Sequence, residues 1–210
     1  MIKNFLYGAV ATLALSATAA SAAVLSYTGT GETETLTFTN DFGLSGLTLD
    51  VINGADKSGS NGLAISGGNA IVTYEYIGFE AGLSNYSAVI GGTAFTNGLS
   101  SAGDTISVGG SNGLLDFAFG TARCCGTTPD DEFLNNGIAT PNSTNFAIGY
   151  YVIDSTTALV LFDDRAAGDR DFDDIGMLVT IANVPLPAGG LLLLSGLAGT
   201  AAMRRRKKAA

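Results

Sequence analysis

Val72-Thr73-Tyr74-Glu75-Tyr76 is the stretch that decides the fold class, because apolar and polar side chains alternate along it one by one. Successive side chains of a β-strand point to opposite faces, so this alternation predicts a strand with one buried face. The segments that repeat this period are residues 36–38, 47–51, 115–119 and 146–152. The apolar runs 157–162 and 175–181 are typical of central strands. Together these segments predict an all-β domain of roughly ten strands, an antiparallel β-sandwich or a jelly-roll-like fold.

The first 22 residues have the features of a secretory signal peptide. Lys3 supplies the positive start, residues 5–15 are apolar, and Ala20-Ser21-Ala22 is an A-x-A cleavage site. We therefore expect a signal helix over residues 1–22 that is removed after Ala22. One all-β ectodomain is expected to occupy residues 23–183.

The last 27 residues combine three features in a fixed order. Val184-Pro185-Leu186-Pro187-Ala188 is followed by an apolar segment, residues 189–203, and by a basic tail, residues 204–208. As a helix, the 16 uncharged residues 188–203 reach roughly 24 Å, a marginal span of the ~30 Å hydrocarbon core. The basic tail should stay in the cytoplasm, which places the ectodomain on the far side of the membrane. Two prolines keep the motif extended and accessible to a processing enzyme.

This tripartite terminus resembles the PEP-CTERM class of bacterial sorting signals, and residues 184–188 resemble its VPLPA-CTERM variant. The resemblance implies processing at the motif by an exosortase, a membrane-embedded transpeptidase-like enzyme. It also implies an exported protein of a Gram-negative bacterium, often associated with exopolysaccharide and biofilm. Such a protein is anchored transiently by its C-terminal membrane helix and then lies at the cell surface or outside the cell. The alternative is an ordinary tail anchor with a proline-rich linker.

Charge and composition exclude several functions. Residues 23–183 contain all 19 acidic residues of the chain but only four basic ones, a formal charge of −15. A nucleic acid is therefore not expected as a partner, because phosphate binding needs clustered Lys and Arg. The chain has no histidine, which excludes a Ser-His-Asp triad and a histidine zinc site. Divalent cations are the favoured electrostatic partners.

Residues 120–145 interrupt the strand pattern and are predicted to form a long loop, either functional or disordered. The loop contains the acidic triplet Asp130-Asp131-Glu132 and the only cysteines, Cys124 and Cys125. Adjacent Cα atoms lie ~3.8 Å apart, below the ~4.4–6.8 Å usual for disulfides, so a vicinal disulfide would be strained. In an oxidising exported setting it remains one alternative, beside an intermolecular link and free thiols. None of these alternatives implies catalysis.

An acidic hairpin precedes the last predicted strand. Its six carboxylates belong to Asp163, Asp164, Asp169, Asp171, Asp173 and Asp174. Calcium, which takes six to eight oxygen ligands, is the natural counter-ion for so much like charge. In an extended segment Asp169, Asp171 and Asp173 would point the same way, with Phe172 directed toward the core. Arg165 and Arg170 support the alternative, a hairpin neutralised by salt bridges or solvated without metal.

The hairpin does not match an EF-hand. Counted from Asp169, the sixth position is Asp174 instead of glycine and the twelfth is Thr180 instead of glutamate. The segment from Gly168 to Ile175 instead resembles a G-x-D-x-D-F-[ND]-D motif found before the sorting signal in exported PEP-CTERM proteins. That resemblance implies calcium ligation by Asp169, Asp171 and Asp173.

These observations favour a non-enzymatic, exported structural protein of the cell surface or extracellular matrix, associated with biofilm or exopolysaccharide and stabilised by calcium. One alternative is a secreted carbohydrate-binding module, in which tyrosines form a sugar-stacking platform instead of packing in the core. The tyrosines in question are Tyr74, Tyr76, Tyr150 and Tyr151. A glycan-active enzyme is the third hypothesis, and it needs two carboxylates of unlike environment across a cleft.

Overall fold

The computed structural model describes residues 22–37, 39–53, 61–80, 84–90, 92–122, 133–139, 146–164, 170–184 and 196–200. In chain order the strands are β1 (Val24–Thr28), β2 (Glu32–Thr35), β3 (Thr48–Asn53), β4 (Gly62–Ser66), β5 (Ala70–Gly78), β6 (Ser84–Val89), β7 (Gly92–Thr96), β8 (Thr105–Gly110), β9 (Gly113–Leu114), β10 (Phe117–Ala122), β11 (Phe133–Asn135), β12 (Ile138–Ala139), β13 (Ala147–Asp154), β14 (Thr157–Asp163) and β15 (Ile175–Asn183). The predicted all-β class is confirmed.

The strands form three sheets. The largest has seven strands in the order β2-β3-β13-β14-β15-β5-β8, a second has five in the order β12-β11-β10-β6-β7, and a third has three in the order β1-β4-β9. Each pairing between these strands is antiparallel. The two apolar runs predicted as central strands are β14 and β15, which lie inside the seven-stranded sheet.

One hydrophobic core joins the three sheets, as expected for a sandwich. It contains Leu63 from the three-stranded sheet, Phe119 from the five-stranded sheet and Phe162 from the seven-stranded sheet. Phe119 and Phe162 stack across the interface with ring centroids 5.2 Å apart and planes 10° from parallel. Burial of such apolar surface is the main favourable contribution to folding. The β-sandwich character of the prediction is therefore supported, and the jelly-roll connection stays a prediction.

The alternation of side chains along β5 buries its tyrosines, as predicted. Tyr74 and Tyr76 are each 1 % exposed, and Tyr150 on β13 is completely buried. Tyr151, whose side chain points to the other face of β13, is only half-buried. Three of the four tyrosines considered for a sugar-binding platform are therefore core residues, because the strand period directs them inward.

The prediction of a continuous loop over residues 120–145 is wrong for part of that segment. Residues 120–122 end β10, and residues 133–139 form the hairpin of β11 and β12, which pairs with β10. The remaining residues 123–132 and 140–145 lie outside the described part of the chain. Cys124, Cys125 and the acidic triplet therefore have no described position.

The turn of this hairpin places Asn136 between the three sheets. Its Nδ2 donates to the carbonyls of Leu63 (2.9 Å) and Leu115 (2.7 Å). Its Oδ1 accepts hydrogen bonds from the Leu63 N–H (2.8 Å) and from the Tyr150 hydroxyl (3.0 Å). The neighbouring Gly62 must lack a side chain, since an added Cβ would lie 2.4 Å from Asn136 Oδ1. All four hydrogen bonds of this buried amide hold elements of different sheets together.

Residues 196–200 form a turn of helix inside the predicted apolar helix 189–203. Over the described residues, the structure contains no helix with both the length and the apolar character needed to cross a membrane.

Replacing Asn136 is expected to be strongly destabilising. In Asn136→Ala the buried groups of Leu63, Leu115 and Tyr150 lose their partner, and each unsatisfied group costs about 1–3 kcal/mol. We therefore expect the free energy of unfolding, measured by urea denaturation, to fall by about 3 kcal/mol or more. Asn112→Ala, at an exposed turn, is the control and should change it by less than about 0.5 kcal/mol. Equal effects of the two variants would contradict the role of Asn136.

The buried hydroxyls of Tyr150 and Tyr76 can each be removed by substitution with Phe, which gives a matched comparison within one core. The Tyr150 hydroxyl donates to Asn136, whereas the buried Tyr76 hydroxyl makes no hydrogen bond within the described residues. Tyr150→Phe should therefore lower the free energy of unfolding by about 1 kcal/mol, while Tyr76→Phe should leave it unchanged or raise it. Thermal denaturation of both variants checks the difference, and a larger loss in Tyr76→Phe than in Tyr150→Phe would contradict it.

Candidate functional site

The carboxylates of the acidic hairpin come from both of its strands. Asp163 ends β14 and Asp164 follows it, while Asp173 and Asp174 immediately precede β15. Because Phe162 pairs with Ile175 in the antiparallel register, these four residues meet at one end of the hairpin. The structure thus brings Asp163, Asp164, Asp173 and Asp174 together, and places Asp169 outside the described residues.

Asp164 connects the hairpin to the five-stranded sheet. Its backbone N–H donates to Asp174 Oδ2 at 2.6 Å, which holds the two sides of the hairpin at a short distance. Its own Oδ2 accepts a hydrogen bond from Asn85 Nδ2 at 2.8 Å. Asn85 lies on β6 and is 1 % exposed. The acidic cluster therefore extends beyond the hairpin to an amide of another sheet.

Asp173 faces a different neighbour, the loop between β2 and β3. Its Oδ2 accepts a hydrogen bond from the Asp41 N–H at 2.9 Å, and its carbonyl accepts one from the Glu80 N–H at 2.9 Å. The carbonyl of Asp171 accepts a longer bond, 3.4 Å, from Asn40 Nδ2. This loop thus packs against the hairpin through Asn40 and Asp41.

The prediction of an extended segment is wrong for residues 170–173, whereas the shared direction of the three carboxylates stays a prediction because Asp169 lies outside the described residues. Arg170 and Phe172 have positive φ angles of 49° and 57°, so the chain alternates between left-handed and other conformations there. Positive φ is strained for residues with side chains. The prediction that Phe172 points inward is confirmed, because it is fully buried in a cluster with Leu49 and Leu161. Packing of the Phe172 ring stabilises a backbone conformation that residues with side chains rarely adopt.

Arg170 pairs with glutamates of β2. Its guanidinium lies 3.1 Å from a carboxylate oxygen of Glu34 and 3.6 Å from one of Glu32. The alternative of a hairpin neutralised by salt bridges from Arg165 and Arg170 stays a prediction. The described ion pairs of Arg170 join the hairpin to the edge strand β2, and Arg165 lies outside the described residues.

Electrostatics in the cluster favour a proton or a cation. Burial raises the pKa of Asp174 from 3.8 to about 8. The charges of Asp164, Asp163 and Asp171 act in the same direction, and the hydrogen bond from the Asp164 N–H opposes them. Without a cation, the Asp174 carboxyl therefore holds a proton at neutral pH. A bound cation would favour the ionised form, because opposite charge lowers the pKa of a carboxyl.

Two buried oxygens of the cluster make no hydrogen bond within the described residues. They are Oδ1 of Asp173 and Oδ1 of Asn85, in side chains 3 % and 1 % exposed. Both are acceptors only, and calcium binds carboxylate and amide oxygens of this kind at ~2.3–2.6 Å. In the described part of the chain, however, no three Asp or Glu side chains converge as a metal site requires. The donor chemistry fits a hard cation, and the shell needs ligands beyond those described.

Sequence reasoning missed Asn40, Asp41 and Asn85. The first two lie in a turn-rich stretch, where Asn and Asp are ordinary. A short polar residue such as Asn85 within a strand carries no distinguishing pattern. Their contribution follows only from the packing of other elements around the hairpin.

The predicted sorting motif begins directly after the last described strand. β15 finishes at Asn183, Val184 is 47 % exposed, and residues 185–188 lie outside the described part. The backbone N–H of Ala23, the first residue after the predicted signal cleavage, donates to Asn183 Oδ1 at 2.5 Å. The two predicted processing points therefore lie at the same end of the sandwich.

Comparison of the chain with protein-family models, with curated proteins and with solved structures finds no match.

Proposed function

We propose that this protein is an exported, non-enzymatic structural component of the cell surface or extracellular matrix. An exosortase-type enzyme processes it at residues 184–188. Before processing, the apolar segment 189–203 anchors it to the membrane. The observation that carries the proposal is the order of motif, apolar segment and basic tail at the C-terminus, joined to a signal peptide at the other end. The resemblance of this tail to VPLPA-CTERM signals suggests association with biofilm exopolysaccharide.

The position of the domain boundaries supports this proposal. The last strand, β15, lies between β14 and β5 inside the seven-stranded sheet and ends at Asn183. Cleavage after Val184 would remove no residue of β15, so the sandwich would stay intact. The exposure of Val184 supports access of an enzyme to the motif.

A bound calcium ion is the second part of the proposal. The Oδ1 atoms of Asp173 and Asn85, both buried acceptors, and the ionisable carboxyl of Asp174 support it. A cation here would neutralise the hairpin and link it to β6 of the five-stranded sheet. A ligand that binds the folded state but not the unfolded state stabilises the folded protein by mass action.

The carbohydrate-binding alternative loses its main argument. It depended on exposed tyrosines, and Tyr74, Tyr76 and Tyr150 are buried in the core. Stacking on a sugar requires an accessible ring face, so these residues do not support that alternative.

Processing is tested by the mass of the protein recovered from cells and medium. In a Gram-negative host with an exosortase, we expect a product trimmed after Ala22 and near residues 184–188. The double variant Pro185→Ala, Pro187→Ala should keep its tail and stay in the membrane fraction, because the motif loses its extended form.

Two controls separate recognition of the motif from general proteolysis. The same protein in a host without exosortase should also keep its tail, and Asn112→Ala should be processed normally. An untrimmed, soluble product in the cytosol, or equal trimming with and without the enzyme, would overturn the proposed function.

Calcium is tested by titration calorimetry and thermal denaturation of the processed protein. At a hundredfold excess over Kd, calcium should raise the free energy of unfolding by about 2.7 kcal/mol. Asp173→Asn should weaken this effect, because one buried carboxylate is lost. Glu75→Gln removes the same charge on β5, away from the hairpin, and should retain the full effect. Absence of both binding heat and a melting shift in the unmodified protein would rule out the metal.

A further inference from the structure

A small pocket opens where the three sheets meet. Its volume is about 130 Å³. It lies beside the edge strand β8, with β5 as the neighbouring strand of the same sheet, and the segment after β9 and the turn after β6 close its other sides. The residues that define it for the present argument are Val72, Tyr74, Ile90, Val108, Leu115 and Asp116. None of them belongs to the acidic hairpin.

The walls of this pocket combine aliphatic side chains with glycine backbone and polar groups. Val72 and Leu115 are buried, and Val108 packs against the core cluster from the edge strand. Gly110 brings the backbone close, since an added Cβ there would lie 2.6 Å from Val72 Cγ2. The interior thus offers contacts to an apolar group of limited width.

The rim is held in a strained conformation. Ile90 has a φ of 51° and is 57 % exposed, although a β-branched residue in the left-handed region is a conformational outlier. Its backbone N–H donates to the carbonyl of Asp116 at 3.1 Å. This hydrogen bond joins Ile90, on the exposed rim, to the segment that contains Asp116. Strain of this kind tends to occur at sites with a functional demand.

The polar groups of the pocket favour a cationic ligand. Asp116 is an exposed residue at the pocket, and Tyr74 also belongs to its lining. Burial and the neighbouring charge of Asp116 raise the pKa of Tyr74, so the phenol remains neutral at physiological pH. The formal charge of −15 on residues 23–183 attracts cations and repels anions over longer distances.

The size of the pocket restricts the ligand further. Pockets for drug-sized molecules measure roughly 300–1,000 Å³, whereas an apolar cavity of about 150 Å³ accepts a molecule the size of benzene. A lysine side chain has fewer heavy atoms than benzene and combines an aliphatic stem with a charged end. A whole pyranose ring is larger, and the ring of Tyr74 is too buried to stack on it.

We propose that this pocket binds a lysine side chain of a basic partner protein, with the methylene stem against Ile90 and Val108 and the ammonium group at the Asp116 carboxylate. The partner contributes the positive charge that this domain lacks. The proposal is independent of calcium binding and of processing at the C-terminus.

The test uses the full processed protein and nuclear magnetic resonance titration with Nα-acetyl-lysine methylamide at millimolar concentration. We expect saturable shifts of the amide signals of Val72, Val108 and Asp116. The norleucine analogue has the same stem without the ammonium group, and it should bind at least tenfold more weakly. A short lysine-rich peptide should produce the same shifts as the single amino acid. If a free diamine binds and both lysine probes do not, the proposal of a protein partner is rejected.

Variants locate the binding to the pocket. Asp116→Asn removes the counter-charge and should weaken lysine binding at least tenfold, while Val108→Phe should abolish it by filling the space. Thr105→Phe adds the same ring on the outward face of β8 and should bind normally. If Val108→Phe does not fold, Asp116→Asn alone decides the question. Unchanged affinity in Asp116→Asn, equal affinity for norleucine, or no shifts with the lysine probe would overturn the proposal.

Discussion

The buried amide of Asn136 is the constraint on which the arrangement of the three sheets depends. Its four hydrogen bonds reach β4, the segment between β9 and β10, and β13, and the hairpin of β11 and β12 positions it there. An amide with both donors and both acceptor positions used is specific, because no other side chain of this size offers that set. Apolar packing drives the sheets together, and this residue decides how they meet.

In the acidic hairpin, packing of a buried side chain overrides the local conformational preference of the backbone. Phe172 is fully buried and has a left-handed backbone conformation. The backbone at this residue, and not the alternation of a strand, therefore sets the positions of the adjacent aspartates. Asp173 and Asp174 consequently face separate neighbours, the β2–β3 loop and Asp164. Enclosure of so many carboxylates is unfavourable without compensation, which either a proton on Asp174 or the proposed cation would supply.

Sequence patterns predicted those features that depend on a period of two. The burial of Tyr74, Tyr76 and Tyr150 follows directly from alternation along their strands. The role of Asn136 did not follow, because an asparagine before glycine is typical of an ordinary turn. Asn85 was missed for a similar reason, since its partner Asp164 is distant in the chain. Patterns report local preference, whereas these amides are defined by contacts between sheets.

The contact between Ala23 and Asn183 joins the two ends of the domain by a hydrogen bond of 2.5 Å. A linker of a few residues would therefore close the polypeptide into a ring without displacing β1 or β15. New termini opened at Leu99, which is 79 % exposed in the turn after β7, would leave every strand intact. This topology makes the sandwich a natural candidate for circular permutation and for insertion as a cassette into a loop of another protein.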